Sequence, residues 1–199
     1  MIYFVRHGST DWNENINEMG KRDPKLQGRA DIPLNEKGIG QAFQLAESLK
    51  DIKFDRVLCS PLTRTRQTCE IINNGKYPIE IDERLIERDF GEYEGCTRSQ
   101  CDLKTICNEY SSPKLERAES IQAVKDRVFN LLDELKKKQN ENVLIVSHGG
   151  VGCIVLSYFN GIPENGDYSL YEIPNWKPIV LDFKEIKKTQ NDNDYEPMM

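Results

Sequence analysis

The chain has only two histidines among its 199 residues, fewer than any other titratable residue type. Six cysteines are present, but no two of them form a C-x-x-C pair and no histidine completes a zinc set with them. A metal site built on these residues is therefore not expected, and no other cofactor is indicated. We expect the cysteines to be free thiols in a reducing compartment.

Positive charge is also in short supply, since 27 Lys and Arg face 33 Asp and Glu, for a formal net charge of −6. A general binder of nucleic acid or of anionic membrane would need a basic field to attract phosphates, so neither partner is expected. No apolar run approaches the ~18 residues of a membrane span, and residues 1–5 are too short for a signal-peptide core. These absences predict a cytoplasmic protein in which any anionic ligand binds in a local pocket.

Three short, unbroken apolar runs predict strands at residues 2–5, 57–59 and 143–146. Unbroken runs are typical of strands that are buried on both faces of a mainly parallel sheet. Weaker signals at residues 79–81, 170–173 and 179–183 predict outer or edge strands.

Helical patterns lie between these runs. Residues 36–50 follow Asn35, a suitable N-cap, and residues 61–74 follow Ser60 and end at an Asn-Asn-Gly stop. A long amphipathic helix begins at Ser120 and ends near Lys138. The residues expected on the apolar face of the first helix are Ile39, Ala42, Phe43, Ala46 and Leu49. Those expected on the long helix are Ile121, Val124, Val128, Leu131, Leu132 and Leu135.

Alternating strands and helices predict an α/β fold, a three-layer α/β/α sandwich with a mainly parallel central sheet. The length suits a single domain over residues 1–186, with residues 96–118 forming a cap segment over the site. Residues 187–199 are too polar to bury and are expected to form a disordered tail. The sequence does not indicate an oligomeric state.

Polar residues follow each of the three predicted core strands: Arg6-His7-Gly8, then SPLTR at residues 60–64, then SHGG at residues 147–150. Because ligands of open α/β sheets bind beyond the carboxyl ends of the strands, we expect Arg6, Arg64 and both histidines to converge there. Guanidinium forks, helix N-termini and glycines together suit a phosphate group. Either histidine alone is as well explained by a structural hydrogen bond; the joint pattern favours a site.

The run RHGSTDWN at residues 6–13 resembles the signature of the histidine phosphatase superfamily, the phosphoglycerate mutase-like proteins. Further stretches fit in order over roughly residues 1–160: LQGRADIPLNEKG (26–38), SPLTRTRQT (60–68), LIERDFGEYEG (85–95), Glu119-Ser120 and VSHG (146–149). The resemblance implies the phosphoglycerate mutase-like fold and, within the superfamily, the phosphatase branch.

By that resemblance His7 would be the nucleophile that takes the phosphoryl group, and Glu87 would be the proton donor and then the base. Arg6, Arg64 and His148 would hold the phosphate. No metal is needed, because phosphoryl transfer depends mostly on positioning and on charge stabilisation.

The resemblance also implies substrate contacts from Asn13, Gly28 and Gly149, any of which could equally be a turn or cap residue. The chain departs from the family pattern at residues 14–25, an insertion expected to reshape the substrate mouth, and at Ala118, where a glycine is usual. A Cys-rich stretch at residues 96–112 is interpreted as a variable cap in preference to a redox site.

Three functions follow. The leading one is a metal-independent hydrolase of a small phosphorylated metabolite, acting through a phosphohistidine. The first alternative is a cofactor-dependent phosphoglycerate mutase, against which the short chain weighs. The second is a module that binds a phosphorylated ligand without turnover. Sugar phosphates, phosphoglycerates, a phosphorylated amino acid and a cobalamin-pathway phosphate all stay open as substrates, because fold and site are shared across them.

Overall fold

The computed structural model describes residues 1–110, 117–171 and 173–186. Strands in these ranges are β1 (Ile2–Arg6), β2 (Arg56–Cys59), β3 (Ile79–Ile81), β4 (Val143–Ser147) and β5 (Ile179–Leu181). Helices are α1 (Glu36–Leu49), α2 (Thr63–Asn73), α3 (Leu103–Ile106), α4 (Ile121–Lys136) and α5 (Gly149–Asn160). Short 3-10 turns occur at Glu83–Leu85, Gly91–Tyr93, Arg98–Gln100, Tyr168–Leu170 and Phe183–Glu185.

The strands form one sheet in the order β3-β2-β4-β1-β5. The first four are mutually parallel, and β5 runs antiparallel along the outer edge of β1. In the centre, Arg6 pairs with Ser147, and Cys59 pairs with Val146. The carboxyl ends of β1, β2 and β4 therefore finish level with one another, at one edge of the sheet.

Each central strand sends alternate side chains into two separate cores. Phe4 and Ile145 pack with α4 and α5 on one face, whereas Val5 and Val146 pack with α1 and α2 on the other. This double burial explains why the strands read as unbroken apolar runs. The predicted three-layer α/β/α sandwich with a mainly parallel sheet is confirmed.

Helix α1 has the predicted position but not the predicted buried face. Asn35 caps it by accepting a hydrogen bond from the Gly38 amide at 2.9 Å. Ile39 and Phe43 are 40% and 61% exposed, so their assignment to the core is wrong. The buried stripe is Gly38, Ala42, Leu45 and Leu49.

The reason lies in a close backbone approach at Gly38. A Cβ on Gly38 would overlap the Ser9 carbonyl oxygen, and one on Gly8 would overlap the Gly38 carbonyl oxygen. Glycine at both positions lets α1 press onto the loop that follows β1. This contact turns the Gly38 side of the helix inward and leaves Ile39 facing solvent.

Helix α4 matches its prediction in both extent and face, and Ser120 caps it by accepting from the Ala123 amide. Helix α2 begins at Thr63, two residues later than predicted, and Ser60 does not cap it. Instead the Asp31 carboxylate accepts from the Thr63 amide at 2.7 Å and from the Thr63 hydroxyl at 2.6 Å. The predicted C-terminal stop is confirmed, since Asn74 lies in the left-handed region with φ of 44°.

The predicted strands at residues 79–81 and 179–183 are present as β3 and as β5, which ends at Leu181. The strand predicted at residues 170–173 is wrong for its described positions, because Tyr168–Leu170 forms a 3-10 turn. Asp167 caps this turn by accepting from the Ser169 amide, which ends any extended run there. The predicted tail, residues 187–199, lies outside the described residues.

All six cysteines are free thiols, and Cys59 and Cys69 are fully buried. Within residues 1–110, 117–171 and 173–186, no helix combines the length and the apolar character that a bilayer crossing requires.

The close approach of α1 predicts opposite effects for two glycines of the same helix. Gly40→Ala meets open space and should raise the free energy of unfolding by about 0.5–1 kcal/mol, the helix-propensity gain. Gly38→Ala should lower it by about 1–3 kcal/mol, because the new Cβ overlaps the Ser9 backbone. Urea unfolding measures both. A Gly38→Ala protein as stable as Gly40→Ala would show that the two backbones are not in contact.

Candidate active site

Three strand ends bring the predicted residues together. His7 follows β1, Ser60 follows β2 and His148 follows β4. Because these strands end at the same level, the three residues lie next to one another. The two imidazole rings lie 5.2 Å apart between centroids. The His148 Nε2 atom is 2.7 Å from the Ser60 hydroxyl oxygen. The chain's two histidines thus share one buried site.

The His7 ring is held in one orientation. Its Nδ1 lies 2.7 Å from the Gly8 carbonyl oxygen, which can only accept, so Nδ1 carries the proton. The lone pair is therefore on Nε2. Arg64 Nε donates to this atom at 3.3 Å, which places a guanidinium beside the free nitrogen.

Both imidazoles are kept neutral. Burial and then the positive charges of Arg64 and Arg6 hold the pKa of His7 well below its usual value of 6.5. Burial, Arg64, His7 and Arg6 lower the pKa of His148 in the same way. A neutral imidazole keeps a lone pair, so His7 retains its capacity as a nucleophile at neutral pH.

Arg64 is wholly buried at the start of α2 and is held by backbone carbonyls. Its Nη1 donates to the Ala30 oxygen at 2.8 Å, and its Nη2 donates to the Gly28 oxygen at 2.7 Å. Burial lowers the pKa of Arg64 to about 10, which leaves the group cationic at neutral pH. Gly28, predicted as a substrate contact, thus has its carbonyl oxygen engaged in holding Arg64.

Glu94 fixes the loop that supplies those carbonyls. Its carboxylate accepts from the backbone amides of Gly28, Arg29 and Ala30 at 3.2, 2.8 and 3.0 Å, and from that of Phe90 at 3.2 Å. A Cβ at Gly28 would overlap the Glu94 carboxylate, so this close approach needs glycine. Glu94 acts on the site through the loop and through Arg64.

Arg6 presents an unused donor to the same space. Its Nη1 donates to the Ile173 carbonyl at 3.2 Å, whereas its buried Nε has no hydrogen-bond partner in the described part of the chain. Gly149, the first residue of α5, lies against this guanidinium, since a Cβ there would be 3.3 Å from Arg6 Nε. An anion that enters the site would meet this N–H and the N-terminus of α5.

His148 has a similar unused atom. Its Nδ1 is buried and unpartnered among the described residues, while its Nε2 contacts Ser60. When the Ser60 hydroxyl donates to Nε2, the proton of the neutral ring sits on Nδ1. The ring then offers an N–H to an anion, which is the complement of the arrangement at His7.

Glu87 is buried, and its two oxygens are held separately. Oε1 accepts from the Arg88 amide, and Oε2 accepts from the Gly150 amide, both at 2.9 Å. The carboxylate therefore sits at the first turn of α5, beside Gly149. Its negative charge acts on both Arg6 and Arg64. The structure thus brings the predicted catalytic residues and one predicted substrate contact into a single cluster: Arg6, His7, Arg64, Glu87, His148 and Gly149.

Asn13 has its described side-chain contacts with the turn that follows the first motif. Its Oδ1 accepts from the Thr10 amide at 3.1 Å and from the Thr10 hydroxyl at 3.2 Å, so it caps the turn after the first motif. The Thr10 hydroxyl also donates to Gln27 Oε1 at 2.9 Å. The described contacts of Asn13 support the turn-residue alternative.

The insertion at residues 14–25 is joined to the segment predicted as a cap. The Asp23 carboxylate accepts from both the amide and the hydroxyl of Ser99. The Arg98 amide donates to the Pro24 carbonyl at 2.8 Å, and Lys25 pairs with Thr97 in an isolated antiparallel bridge. Residues 111–116 of the predicted cap lie outside the described residues.

Three side chains to which the sequence analysis assigned no role in the site contact it. Ser60 contacts His148, Thr68 accepts from the Gly8 amide at 3.1 Å, and Asn175 donates to the His7 carbonyl at 2.6 Å. Ser60 and Thr68 lie inside the SPLTRTRQT block, so their place in the motif was a usable signal. Asn175 lies outside every motif. Searched over residues 1–110, 117–171 and 173–186, the structure has no group of three or more His, Cys, Asp or Glu placed to hold a metal ion.

Known proteins share both sequence and fold with this chain. The model of the histidine phosphatase superfamily (branch 1) matches residues 2–191. An uncharacterized phosphatase, PhoE of Bacillus subtilis (strain 168), is 34% identical over 82% of this chain and 79% of its own. A probable phosphoglycerate mutase, GpmB of Salmonella choleraesuis (strain SC-B67), is 34% identical over 92% and 85%.

Among solved structures, the alpha-ribazole phosphatase from Shigella flexneri superposes with a TM-score of 0.74 at 29% identity, covering 92% of this chain and 91% of that one. The resemblance inferred from the motifs is thereby confirmed. This chain belongs to the histidine phosphatase superfamily.

Proposed function

We propose that the protein is a phosphomonoesterase that hydrolyses a small phosphorylated metabolite through a phosphohistidine on His7. The observation that carries this proposal is the state of His7: a neutral, buried ring with its proton on Nδ1 and its Nε2 lone pair beside Arg64. PhoE and the ribazole phosphatase, both named as phosphatases, support hydrolysis as the reaction type.

In the first step, His7 Nε2 attacks the phosphorus, and the bond from phosphorus to the leaving oxygen breaks. Glu87, which takes up a proton when the dianionic ester binds beside it, gives that proton to the leaving oxygen. As the phosphoryl group enters, the Arg64 Nε–H leaves His7 Nε2 for an equatorial oxygen. The free Arg6 Nε–H and the His148 Nδ1–H bind the other equatorial oxygens, where charge is concentrated in the transition state. Positioned cations can supply most of the stabilisation that phosphoryl transfer needs.

In the second step, water attacks the phosphorus and the bond to Nε2 breaks. Glu87 takes a proton from this water, which restores the acid for the next cycle. Phosphate leaves, and His7 returns to the neutral form with its proton on Nδ1. No metal ion takes part in either step.

The nucleophile is tested by substitution and trapping. His7→Ala should lower kcat for phosphomonoesters at least about a thousandfold, because the remaining groups can hold phosphate but cannot accept it. Wild-type protein quenched during turnover of a radiolabelled ester should carry an acid-labile phosphate that His7→Ala lacks. A chelator should leave the wild-type rate unchanged. Full activity of His7→Ala, or loss of wild-type activity with chelator, would contradict the proposal.

The proton donor is tested with two leaving groups. Glu87→Gln should lower kcat for an alkyl phosphate about 10²–10⁴-fold, the usual contribution of general acid-base catalysis. It should lower the rate of His7 phosphorylation by p-nitrophenyl phosphate much less, because that leaving group needs no proton. Glu92→Gln, an exposed carboxylate in the same motif, is the matched control. Equal losses with both esters would exclude Glu87 as the proton donor.

The lowered histidine pKa values are measurable directly, because the chain has two histidines and both are in the site. In phosphate-free buffer, NMR of ¹⁵N-histidine-labelled protein should show both rings neutral as the pH falls from about 8 to about 6, whereas in urea both should titrate near ~6.5.

Because the unfolded chain takes up these protons first, the two histidines should lower the free energy of unfolding as the pH falls below ~6.5. Either ring titrating at or above its unfolded pKa in the folded protein would refute the lowered values.

A phosphoglycerate mutase is the second candidate, favoured by the 34% identity to the probable mutase GpmB. It would use the same phosphohistidine and return the phosphoryl group to a second hydroxyl instead of to water. Incubation with 3-phosphoglycerate separates the two: release of inorganic phosphate supports the hydrolase, and isomerisation with little phosphate release supports the mutase.

A further inference from the structure

The peptide that joins His7 to Gly8 is held at both of its polar ends. Asn175 Nδ2 donates to its carbonyl oxygen at 2.6 Å, and the Thr68 hydroxyl oxygen accepts from its N–H at 3.1 Å. The next peptide is held as well, because the Ser9 amide donates to Gln41 Oε1 at 2.8 Å. The three side chains come from three places, the loop before β5, helix α2 and helix α1.

The conformation of these two peptides sets the orientation of the Gly8 carbonyl, which accepts the proton of His7 Nδ1. The Gly8 carbonyl, which accepts from Nδ1 at 2.7 Å, belongs to the second peptide. Gly8 has no Cβ, so its own backbone conformation restricts this carbonyl less than that of any other residue would. Its direction must therefore be set by groups outside the loop.

The stretch that carries Asn175 also holds the neighbouring guanidinium. The Ile173 carbonyl accepts from Arg6 Nη1 at 3.2 Å. Pro174 and Pro178 stand at the two ends of the turn that leads into β5, and each proline ring fixes one backbone dihedral angle. Since β5 pairs with β1 from Ile2 to Phe4, this turn comes back beside the end of β1. One short stretch thus contacts two consecutive residues of the site.

We propose that Asn175 and Thr68 are positioning residues that hold the His7-Gly8 peptide, and so keep the His7 proton on Nδ1 and its lone pair on Nε2. Neither side chain acts on the phosphoryl group itself. If the peptide rotated, the Gly8 carbonyl would no longer accept from Nδ1. The ring would then lose the shorter of the two contacts that select its tautomer, with only the Arg64 Nε donor left at 3.3 Å, and a share of molecules would present an N–H to the phosphorus. This inference rests on the proposed role of His7 as the nucleophile.

The test uses variants of similar shape without the hydrogen-bonding group. Asn175→Leu removes the donor, Thr68→Val removes the acceptor, and Thr68→Ser keeps it. Asn142→Leu is the matched control: that amide donates to the Lys53 carbonyl at 3.1 Å, next to the opposite end of β4, and is also half-buried.

Two measurements are made on each variant. The first is steady-state kinetics with p-nitrophenyl phosphate, together with the rate of His7 phosphorylation. The second is ¹⁵N NMR of the ligand-free histidine rings, in which protonated and unprotonated nitrogens have separate shifts, and which reports the tautomer without any turnover. Thermal melting identifies variants that do not fold.

We expect Asn175→Leu and Thr68→Val each to lower kcat about three- to tenfold, the effect of one hydrogen bond, with KM changed less than about twofold. In both, the His7 Nδ1 and Nε2 shifts should move toward each other, while Thr68→Ser and Asn142→Leu should keep the wild-type shifts and rates. A variant that loses the fold is replaced by its partner, since each side chain tests the same peptide.

Unchanged tautomer signals in folded Asn175→Leu and Thr68→Val would overturn the inference, whether or not kcat falls, because a structural loss alone would leave the tautomer intact. Failure of the proposed function has a different signature. Wild-type protein would then form no phosphohistidine, and the NMR comparison would still decide whether the two side chains set the state of His7.

Discussion

A concentration of positive charge at one end of the sheet is the constraint on which the rest of the site depends. Arg64 is wholly buried, and the Nε of Arg6 is buried against Gly149, the residue that follows His148. An unpaired charge in the interior costs several kcal/mol unless hydrogen bonds replace its water. The site meets this cost with one buried carboxylate, Glu87, and with backbone carbonyls that point inward from loops.

Those carbonyls explain why distant parts of the chain are tied so tightly to the site. Arg64 donates to the carbonyl oxygens of Gly28 and Ala30. The Glu94 carboxylate holds that loop by accepting from the three amides of residues 28–30 and from the Phe90 amide. Arg6 needs the Ile173 oxygen. Burial and the same cations lower the pKa of both imidazoles, so an arrangement suited to an anion also keeps the His7 Nε2 atom unprotonated. The net charge of the chain, −6, does not describe the site, because Arg6 and Arg64 make the site locally positive.

Prediction from the sequence succeeded where one local signal was sufficient. Buried strands, the caps Asn35 and Ser120, and the placement of both histidines at strand ends all followed from adjacent residues. It failed where a remote contact decides. Ile39 and Phe43 fit a helical stripe, but the backbone contact at Gly38 turns the helix, and no pattern within α1 reveals that contact. Asn175 was missed for the same reason, since its partner, the His7 carbonyl, is 168 residues away in the chain.

Some of the described segments are held by the hydrophobic cores, and others are held by hydrogen bonds between loops. Strand ends and helix N-termini place His7, Arg64 and His148, and two hydrophobic cores hold these elements rigidly. The insertion at residues 14–25 and the segment after Cys96 are held differently, because backbone pairs and the contact of the Asp23 carboxylate with Ser99 join them to each other. Because such contacts need no buried core, these two segments can change in length and composition without moving His7 or Arg64. The fold therefore determines the positions of His7 and Arg64 and leaves these two segments free to differ between members of the superfamily.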